Sequence, residues 1–126
     1  MKIEHLAMWV NDLEGIKSFY ERYFGAKAGE LYHNPKKQFR SYFLSFESGP
    51  RLELMSKVGI DEPSTTQRLG LAHFAMAVGS RERVNELTEE LRRAGFRIEG
   101  EPRTTGDGYY ESVIADPEGN LVEITV

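Results

Sequence analysis

The stretch IEHLAMWVND at residues 3–12 returns later in the chain as LAHFAMAVGS at residues 71–80. His5 and His73 occupy the same position in these two stretches. A second pair follows in the same order, SFESGPRLELM at residues 45–55 and ADPEGNLVEIT at residues 115–125, and it aligns Glu53 with Glu123. Repetition of ordered segments indicates that one structural unit is present twice. We therefore predict two copies of one module.

Each copy shows the hydrophobic pattern of a strand, a helix and three further strands, which predicts an α+β fold. The modules cover approximately residues 1–57 and 70–126, and we predict that residues 58–69 connect them within one domain spanning residues 1–126. The predicted strands of the first copy are residues 2–10 and approximately 26–33, 38–47 and 50–57. In the second copy, the first strand carries Phe74, Met76 and Val78 on one face and His73 on the other, and strands follow near residues 96–102, 108–115 and 120–126.

The predicted helices each present one apolar stripe at helical spacing. Asn11 or Asp12 can cap the first helix, and Ser80 can cap the second. Gly25 and Gly95 are expected to end them. The predicted stripes are Leu13, Ile16, Phe19, Tyr20 and Tyr23 in the first helix, and Val84, Leu87, Leu91 and Ala94 in the second.

Composition excludes several classes of protein. The chain has 126 residues, a net charge of −4 and no cysteine, so disulfide frameworks and thiolate metal sites are excluded. The acidic balance argues against a nucleic-acid partner, because such proteins need a concentrated basic face. The sequence also lacks the run of about 20 apolar residues that crosses a membrane. We expect a cytoplasmic protein.

A carboxylate in the middle of an apolar strand is costly to bury unless another charge compensates it. Glu53 and Glu123 both occupy such positions, and strand alternation places them on the face opposite the helix-facing leucine, valine and isoleucine side chains. His5 and His73 fall on the same opposite face. If the two sheets face each other, these four side chains converge on one cavity.

Two imidazoles and two carboxylates form a suitable ligand set for a divalent metal such as Zn, Ni, Co, Mn or Fe. The metal would offset the carboxylate charges, and an octahedral ion would keep two positions open for substrate. The competing interpretation is that duplication copied four surface residues that have no shared role. The third histidine, His33, lies beside Asn34 and Pro35 and is predicted to be a loop residue.

The sequence resembles the vicinal oxygen chelate superfamily, which includes glyoxalase I, fosfomycin-resistance enzymes, extradiol dioxygenases and bleomycin-resistance proteins. The resemblance covers essentially the whole chain. It depends on EHLAMWVNDLEGIKSFY, FYERYFGAK, RLELM, LAHFAMAV and DPEGNLVEI. It implies paired βαβββ modules that form a cupped mixed sheet with the helices outside.

The ligand order His, Glu, His, Glu most resembles that of bacterial glyoxalase I, the lactoylglutathione lyase. This resemblance implies a metal-dependent lyase or isomerase in which the ion binds two adjacent substrate oxygens. A carboxylate would then move the proton between neighbouring carbons, with Glu123 the first candidate for this base and Glu53 the second. His5 and His73 would act as ligands only. The resemblance also implies a homodimer.

Trp9 stands where bacterial glyoxalase I usually carries an arginine for the glutathione carboxylate, and the other candidates, Arg40, Arg51 and Arg103, are scattered. The expected cavity is instead lined by aromatic and apolar groups and suits a small, partly apolar substrate. Ordinary core packing is the competing interpretation for these side chains. The predicted lining residues are Trp9, Phe43, Met55 and Tyr109, with Phe39 and Glu111 as further candidates.

Other activities of the superfamily stay open at this point. An extradiol dioxygenase would use two histidines and one glutamate, and a fosfomycin-type enzyme would replace or lack one glutamate. A non-catalytic binding or resistance protein would generally lack the four ligands. The presence of both Glu53 and Glu123 favours the glyoxalase-like interpretation over these alternatives.

Overall fold

The computed structural model describes residues 1–63 and 69–126. The chain divides into two compact units, Met1–Pro63 and Ser64–Val126. This division falls within the predicted connector 58–69, of which residues 64–68 lie outside the described residues. Each unit contains one α-helix packed on one face of its own β-sheet.

The first unit contains β1 His5–Trp9, α1 Leu13–Phe24, β2 Lys27–Ala28, β3 Tyr32–Asn34, β4 Phe39–Ser45 and β5 Arg51–Lys57. Its strands form a mixed sheet with the order β1-β5-β4-β2, and β3 also pairs with β4. β1 runs parallel to β5, whereas β4 runs antiparallel to its neighbours.

The predicted strand at residues 26–33 is instead two short strands, β2 and β3. Ala28 pairs with Leu44, and Tyr32 pairs with Ser41. The segment between Ala28 and Tyr32 is therefore one residue longer than the segment of β4 that it faces. An extra residue interrupts a strand ladder, which explains the break.

The second unit repeats the arrangement with β6 Phe74–Ala77, α2 Arg81–Arg93, β7 Ile98–Thr104, β8 Tyr110–Ala115 and β9 Leu121–Thr125. Its sheet has the strand order β6-β9-β8-β7. β6 runs parallel to β9, and the other pairs are antiparallel. The predicted α+β class with two βαβββ modules is confirmed.

Helix α1 begins and ends as predicted. The Asp12 side chain caps it by accepting a hydrogen bond from the Gly15 backbone N–H at 3.0 Å. Gly25 ends it in the left-handed conformation with φ of 64°, which glycine adopts without a steric penalty. The helix buries Leu13, Ile16, Phe19 and Tyr20 against the sheet.

Helix α2 is capped by Ser80, and its buried face includes Val84, Leu87 and Leu91 as predicted. The inclusion of Ala94 in this stripe was wrong, because the helix ends at Arg93 and Ala94 is exposed. Thr88 is buried instead. Its hydroxyl donates to the Val84 carbonyl at 2.6 Å and lies 2.7 Å from the Ser112 hydroxyl of β8, which satisfies both polar groups.

The helix-facing sides of the sheets form the two cores. Leu54 and Ile124 are fully buried, and Leu52 and Val122 are almost or fully buried beside them. Strand alternation then directs the intervening residues, including Glu53 and Glu123, to the opposite face of each sheet.

Candidate metal and substrate site

In the first unit, the parallel pairing of β1 with β5 brings His5 and Glu53 to one face. His5 pairs with Arg51, and Ala7 pairs with Glu53, so the imidazole and the carboxylate lie on adjacent strands. His5 Nε2 is 3.8 Å from Glu53 Oε2. The Glu53 side chain retains only 15% of its exposure, whereas His5 retains 40%. A carboxylate with so little exposure to water needs a charged or hydrogen-bonding partner.

The second unit places His73 and Glu123 in the equivalent positions. His73 immediately precedes β6, and Glu123 lies on β9 opposite Ala75. His73 Nε2 is 3.1 Å from Glu123 Oε1, and the carboxylate again has low exposure at 19%. The same imidazole–carboxylate pair is therefore present in each unit on the face away from the helix.

The donor chemistry of these pairs suits a cation. His5 Nδ1 lies 2.5 Å from Glu4 Oε2. Because a carboxylate can only accept, Nδ1 carries the donated proton, and in the neutral ring Nε2 then presents its lone pair towards Glu53. Two electron-pair donors facing each other attract a proton or a metal ion. Nitrogen and carboxylate oxygen together suit the first-row divalent metals.

Each unit by itself supplies two such ligands. Within either unit, the described residues contain no group of three or more His, Cys, Asp and Glu side chains arranged to hold a metal ion. The four residues predicted as ligands are thus found as two separate pairs, His5 with Glu53 and His73 with Glu123.

Glu4 and Arg51 extend the first pair, and no pattern in the sequence indicated the role of Glu4. The Glu4 carboxylate accepts hydrogen bonds from His5 and from Arg51, whose Nε lies at 2.9 Å. The hydrogen bond from His5 lowers the pKa of the Glu4 carboxyl most, and the bond from Arg51 lowers it further. The Arg51 guanidinium, a candidate for a substrate carboxylate, instead binds Glu4 and lies 4.2 Å above the Phe43 ring.

Three of the four predicted substrate residues share the face of His5. Phe43 pairs with Glu53, and Trp9 pairs with Met55. The Phe43 ring meets the His5 ring edge-on, with the centroids 5.3 Å apart. Because cross-strand partners lie on the same face, Trp9, Phe43 and Met55 lie on the sheet face that carries the His5–Glu53 pair.

Tyr32 enlarges this aromatic surface and was not singled out from the sequence. Phe39 lies between Trp9 and Tyr32, with ring centroids 6.1 Å and 6.0 Å away. Trp9 is 45% exposed and Tyr32 is 55% exposed, which leaves both rings accessible to a ligand. The sheet face of Tyr32 is set by the pairing of the short strand β3 with β4. The predicted strand 26–33 did not indicate this pairing.

The fourth predicted substrate residue, Tyr109, lies in the turn before β8. The predicted strand 108–115 was wrong at this end, because β8 begins at Tyr110. The Tyr109 carbonyl instead accepts a hydrogen bond from the Thr105 backbone N–H at 2.8 Å, which closes the turn. Its side chain is 59% exposed. Glu111, by contrast, is buried on β8, 3.9 Å from Arg103 of the neighbouring strand.

The prediction that His33 lies in a loop was wrong, because this residue is part of β3 and pairs with Arg40. The short strand forms because Tyr32–Asn34 continues the antiparallel pairing with β4. His33 is exposed, and alternation places it on the face opposite Tyr32. It therefore lies away from the surface that carries His5 and Glu53.

The family is shown by comparison with known proteins. The family model described as the Glyoxalase/Bleomycin resistance protein/Dioxygenase superfamily matches residues 2–124. The chain belongs to this superfamily. The predicted resemblance is thereby confirmed at the level of the superfamily, which contains several different activities.

Individual relatives agree with this assignment. The chain is 28% identical to the uncharacterized protein YqjT of Bacillus subtilis (strain 168), over 97% of this chain and 96% of that protein. It is 26% identical to glyoxalase I from Zea mays, and the two structures match with a TM-score of 0.82. This match covers 98% of the present chain but only 44% of the maize chain.

A glyoxylase/bleomycin resistance protein/dioxygenase domain from Frankia sp. EAN1pec has a TM-score of 0.86 over 100% of this chain and 97% of that chain. At 17% identity, that likeness shows the fold alone.

Among the described residues of the present chain, no helix is both long and apolar enough to cross a membrane.

Proposed function

We propose that this protein is a glyoxalase-like, metal-dependent lyase or isomerase whose ligands are His5, Glu53, His73 and Glu123. The observation that carries the proposal is the recurrence of one imidazole–carboxylate pair in both units, each on the sheet face away from its helix. Superfamily members generally use a divalent metal, which agrees with this donor set. We include Zn, Ni, Co, Mn and Fe as candidate ions.

A bound divalent ion would supply electrophilic stabilisation of the negative charge that develops on two adjacent substrate oxygens. His5 and His73 would hold the ion through their Nε2 atoms and would transfer no proton. One carboxylate removes a proton from carbon and returns it to the neighbouring carbon. We assign this role to Glu123 first and to Glu53 second. Both are only slightly exposed, which keeps the transferred proton from exchanging freely with water.

The substrate we propose is small and partly apolar. Trp9, Phe43 and Met55 share the face of the His5–Glu53 pair. We include Tyr109, an exposed residue of the second unit, as the fourth substrate residue of this proposal. Exposed aromatic rings beside a polar pair bind the apolar part of a ligand while the polar pair selects its oxygens. With Arg51 bound to Glu4, the first unit offers no free guanidinium at this position for a glutathione carboxylate.

We also propose that the protein forms a homodimer, as the family resemblance implies. Two modules per chain allow a centre assembled from one chain or from two. Sedimentation of the native protein tests this directly, and a single species with the mass of one chain would overturn it.

The activity is tested by a screen of the metal-loaded protein. Hemithioacetals of several thiols, fosfomycin and catechols are compared with each of the five candidate metals. We expect turnover of a hemithioacetal, loss of that turnover in Glu123→Gln, and retained turnover in His33→Ala, which alters the remaining histidine. Absence of turnover of every hemithioacetal with every metal would remove the proposed activity.

A further inference from the structure

The two imidazole–carboxylate pairs differ in what lies behind the histidine. In the first unit, Glu4 accepts from His5 Nδ1, and Arg51 in turn donates to Glu4. The repeat places Ala72 at the position of Glu4 and Leu121 at the position of Arg51. The side chains behind His5 are therefore not duplicated in the second unit, although the ligand pair is.

We infer that Glu4 is a positioning residue that fixes His5 with its Nε2 lone pair facing Glu53, and that Arg51 holds Glu4 in place. This inference rests on the proposed function, because His5 must be a ligand for its orientation to matter. Proteins commonly fix a metal-binding histidine through a carboxylate on its other ring nitrogen, which sets the tautomer and the ring orientation.

The geometry supports a role in orientation. Glu4 uses one oxygen for His5 and the other for Arg51, so the carboxylate is held at both ends. Arg51 is itself restrained by the Phe43 ring 4.2 Å below its guanidinium. Phe43 also contacts the His5 ring edge-on. The four side chains form a closed set in which each contacts two of the others.

A role in folding stability alone is less consistent with the exposure of these groups. The Glu4 side chain is 56% exposed and the Arg51 side chain is 40% exposed. Ion pairs this accessible to water contribute little to stability because solvent and salt screen them. Removal of Glu4 should therefore alter the His5 ring far more than it alters unfolding.

The test compares Glu4→Ala with the wild-type protein and with Glu47→Ala, which removes an exposed glutamate from the turn between β4 and β5. Nitrogen-15 spectra of the metal-free protein report which His5 ring nitrogen carries the proton. Chelator competition with Zn²⁺ and Ni²⁺ reports metal affinity. We expect Glu4→Ala to shift His5 away from the Nδ1-protonated tautomer and to weaken metal binding about tenfold or more.

Glu47→Ala should change neither measurement. Arg51→Met should weaken metal binding in the same direction and by a smaller factor, because Glu4 is retained. If wild type binds metal and Glu4→Ala binds it equally well, the inference is overturned while the proposed function survives. If wild type binds no metal, the proposed function fails. The spectra then decide the inference alone: an altered tautomer supports positioning by Glu4, and an unchanged one overturns it.

Discussion

At the scale of single residues, the buried hydroxyl pair beneath α2 makes a sharp prediction. Thr88 donates its hydrogen to the Val84 carbonyl, so Ser112 must be the donor between the two hydroxyls. Thr88→Val preserves the shape but leaves the Ser112 hydroxyl buried without its acceptor. We expect the free energy of unfolding to fall by about 1 to 3 kcal/mol, measured by urea denaturation.

Combining Thr88→Val with Ser112→Ala removes both hydroxyls and should recover much of this loss. Thr104→Val, at an exposed position of β7, serves as the control and should change stability by no more than about 0.5 kcal/mol. A double variant that is less stable than Thr88→Val would contradict the assigned donor and acceptor roles.

Tyr42 provides a prediction about pH. Its hydroxyl donates to Glu14 Oε1 at 2.7 Å, and this bond raises the pKa of the Tyr42 phenol. A pKa raised by folding favours the protonated phenol, so the stabilisation is fully present below the unfolded value of about 10 and is lost as the pH rises through the folded value. The stability advantage of wild type over Tyr42→Phe should therefore shrink above pH 10.

Urea denaturation at neutral and alkaline pH measures this difference, and the ultraviolet absorbance of phenolate follows the ionisation directly. Tyr42→Phe should remove the phenol whose ionisation occurs above the ordinary pKa of about 10. Tyr109→Phe, which alters an exposed turn residue, should leave this high-pH step of the absorbance titration in place. A high-pH step that persists in Tyr42→Phe would show that the hydrogen bond to Glu14 does not control this ionisation.

Sequence reasoning selected the two histidine–glutamate pairs because the alternation predicted for each strand places both members of a pair on one face. It missed Glu4 for the same reason. In a regular strand, Glu4 would point away from His5, but β1 begins at His5, so Glu4 escapes the alternation and turns back towards the ring. Side chains at element ends follow local contacts that the pattern does not encode.

At the scale of elements, the first turn of α1 couples two residues. A Cβ added at Gly15 would lie 2.2 Å from Asp12 Oδ2, so a side chain there displaces the capping carboxylate. Asp12→Ala alone should lower the free energy of unfolding by about 1 kcal/mol. In the Asp12→Ala background, Gly15→Ala should raise it by about 0.5 to 1 kcal/mol, because alanine favours a helix more than glycine does.

In the wild-type background, we expect Gly15→Ala to gain nothing or to destabilise, because the cap is lost as alanine is added. The four proteins form a double-mutant cycle, with each unfolding free energy measured in urea. Equal effects of Gly15→Ala in both backgrounds would contradict the coupling between glycine and cap.

Helix faces and caps were predicted well because they depend on residues three or four positions apart. Thr88 shows the limit of this reasoning: a threonine in the apolar stripe is recognised only when its partner, Ser112 on β8, is known. The break between β2 and β3 likewise depends on pairing with β4, so the local sequence at residues 26–33 did not reveal it.

At the scale of the whole molecule, the duplication was the strongest signal in the sequence. It predicted the order of elements in both units because repeated segments fold in the same way. The placement of one module against another has no comparable periodic signal, since it depends on a connector and on surface contacts. The shared centre is therefore a hypothesis about two pairs of ligands, and solution measurements must test it.

If the two pairs share one ion, the number of bound ions and the effect of single substitutions are linked. A shared centre binds one ion for every two units, whether these belong to one chain or to two. A free metal-ion concentration one hundred times the dissociation constant should then raise the free energy of unfolding by about 2.7 kcal/mol. His5→Ala and His73→Ala should each abolish most of this gain, although they alter different units.

His33→Ala is the matched control, because it removes a histidine from the opposite face of the first sheet and should retain the full gain. Two independent half-sites make a different prediction. Wild type would bind two ions per chain, and each single variant would keep one of them together with part of the stabilisation. Metal analysis of the purified variants, combined with urea denaturation, distinguishes the two cases, and two retained half-sites would contradict the shared centre.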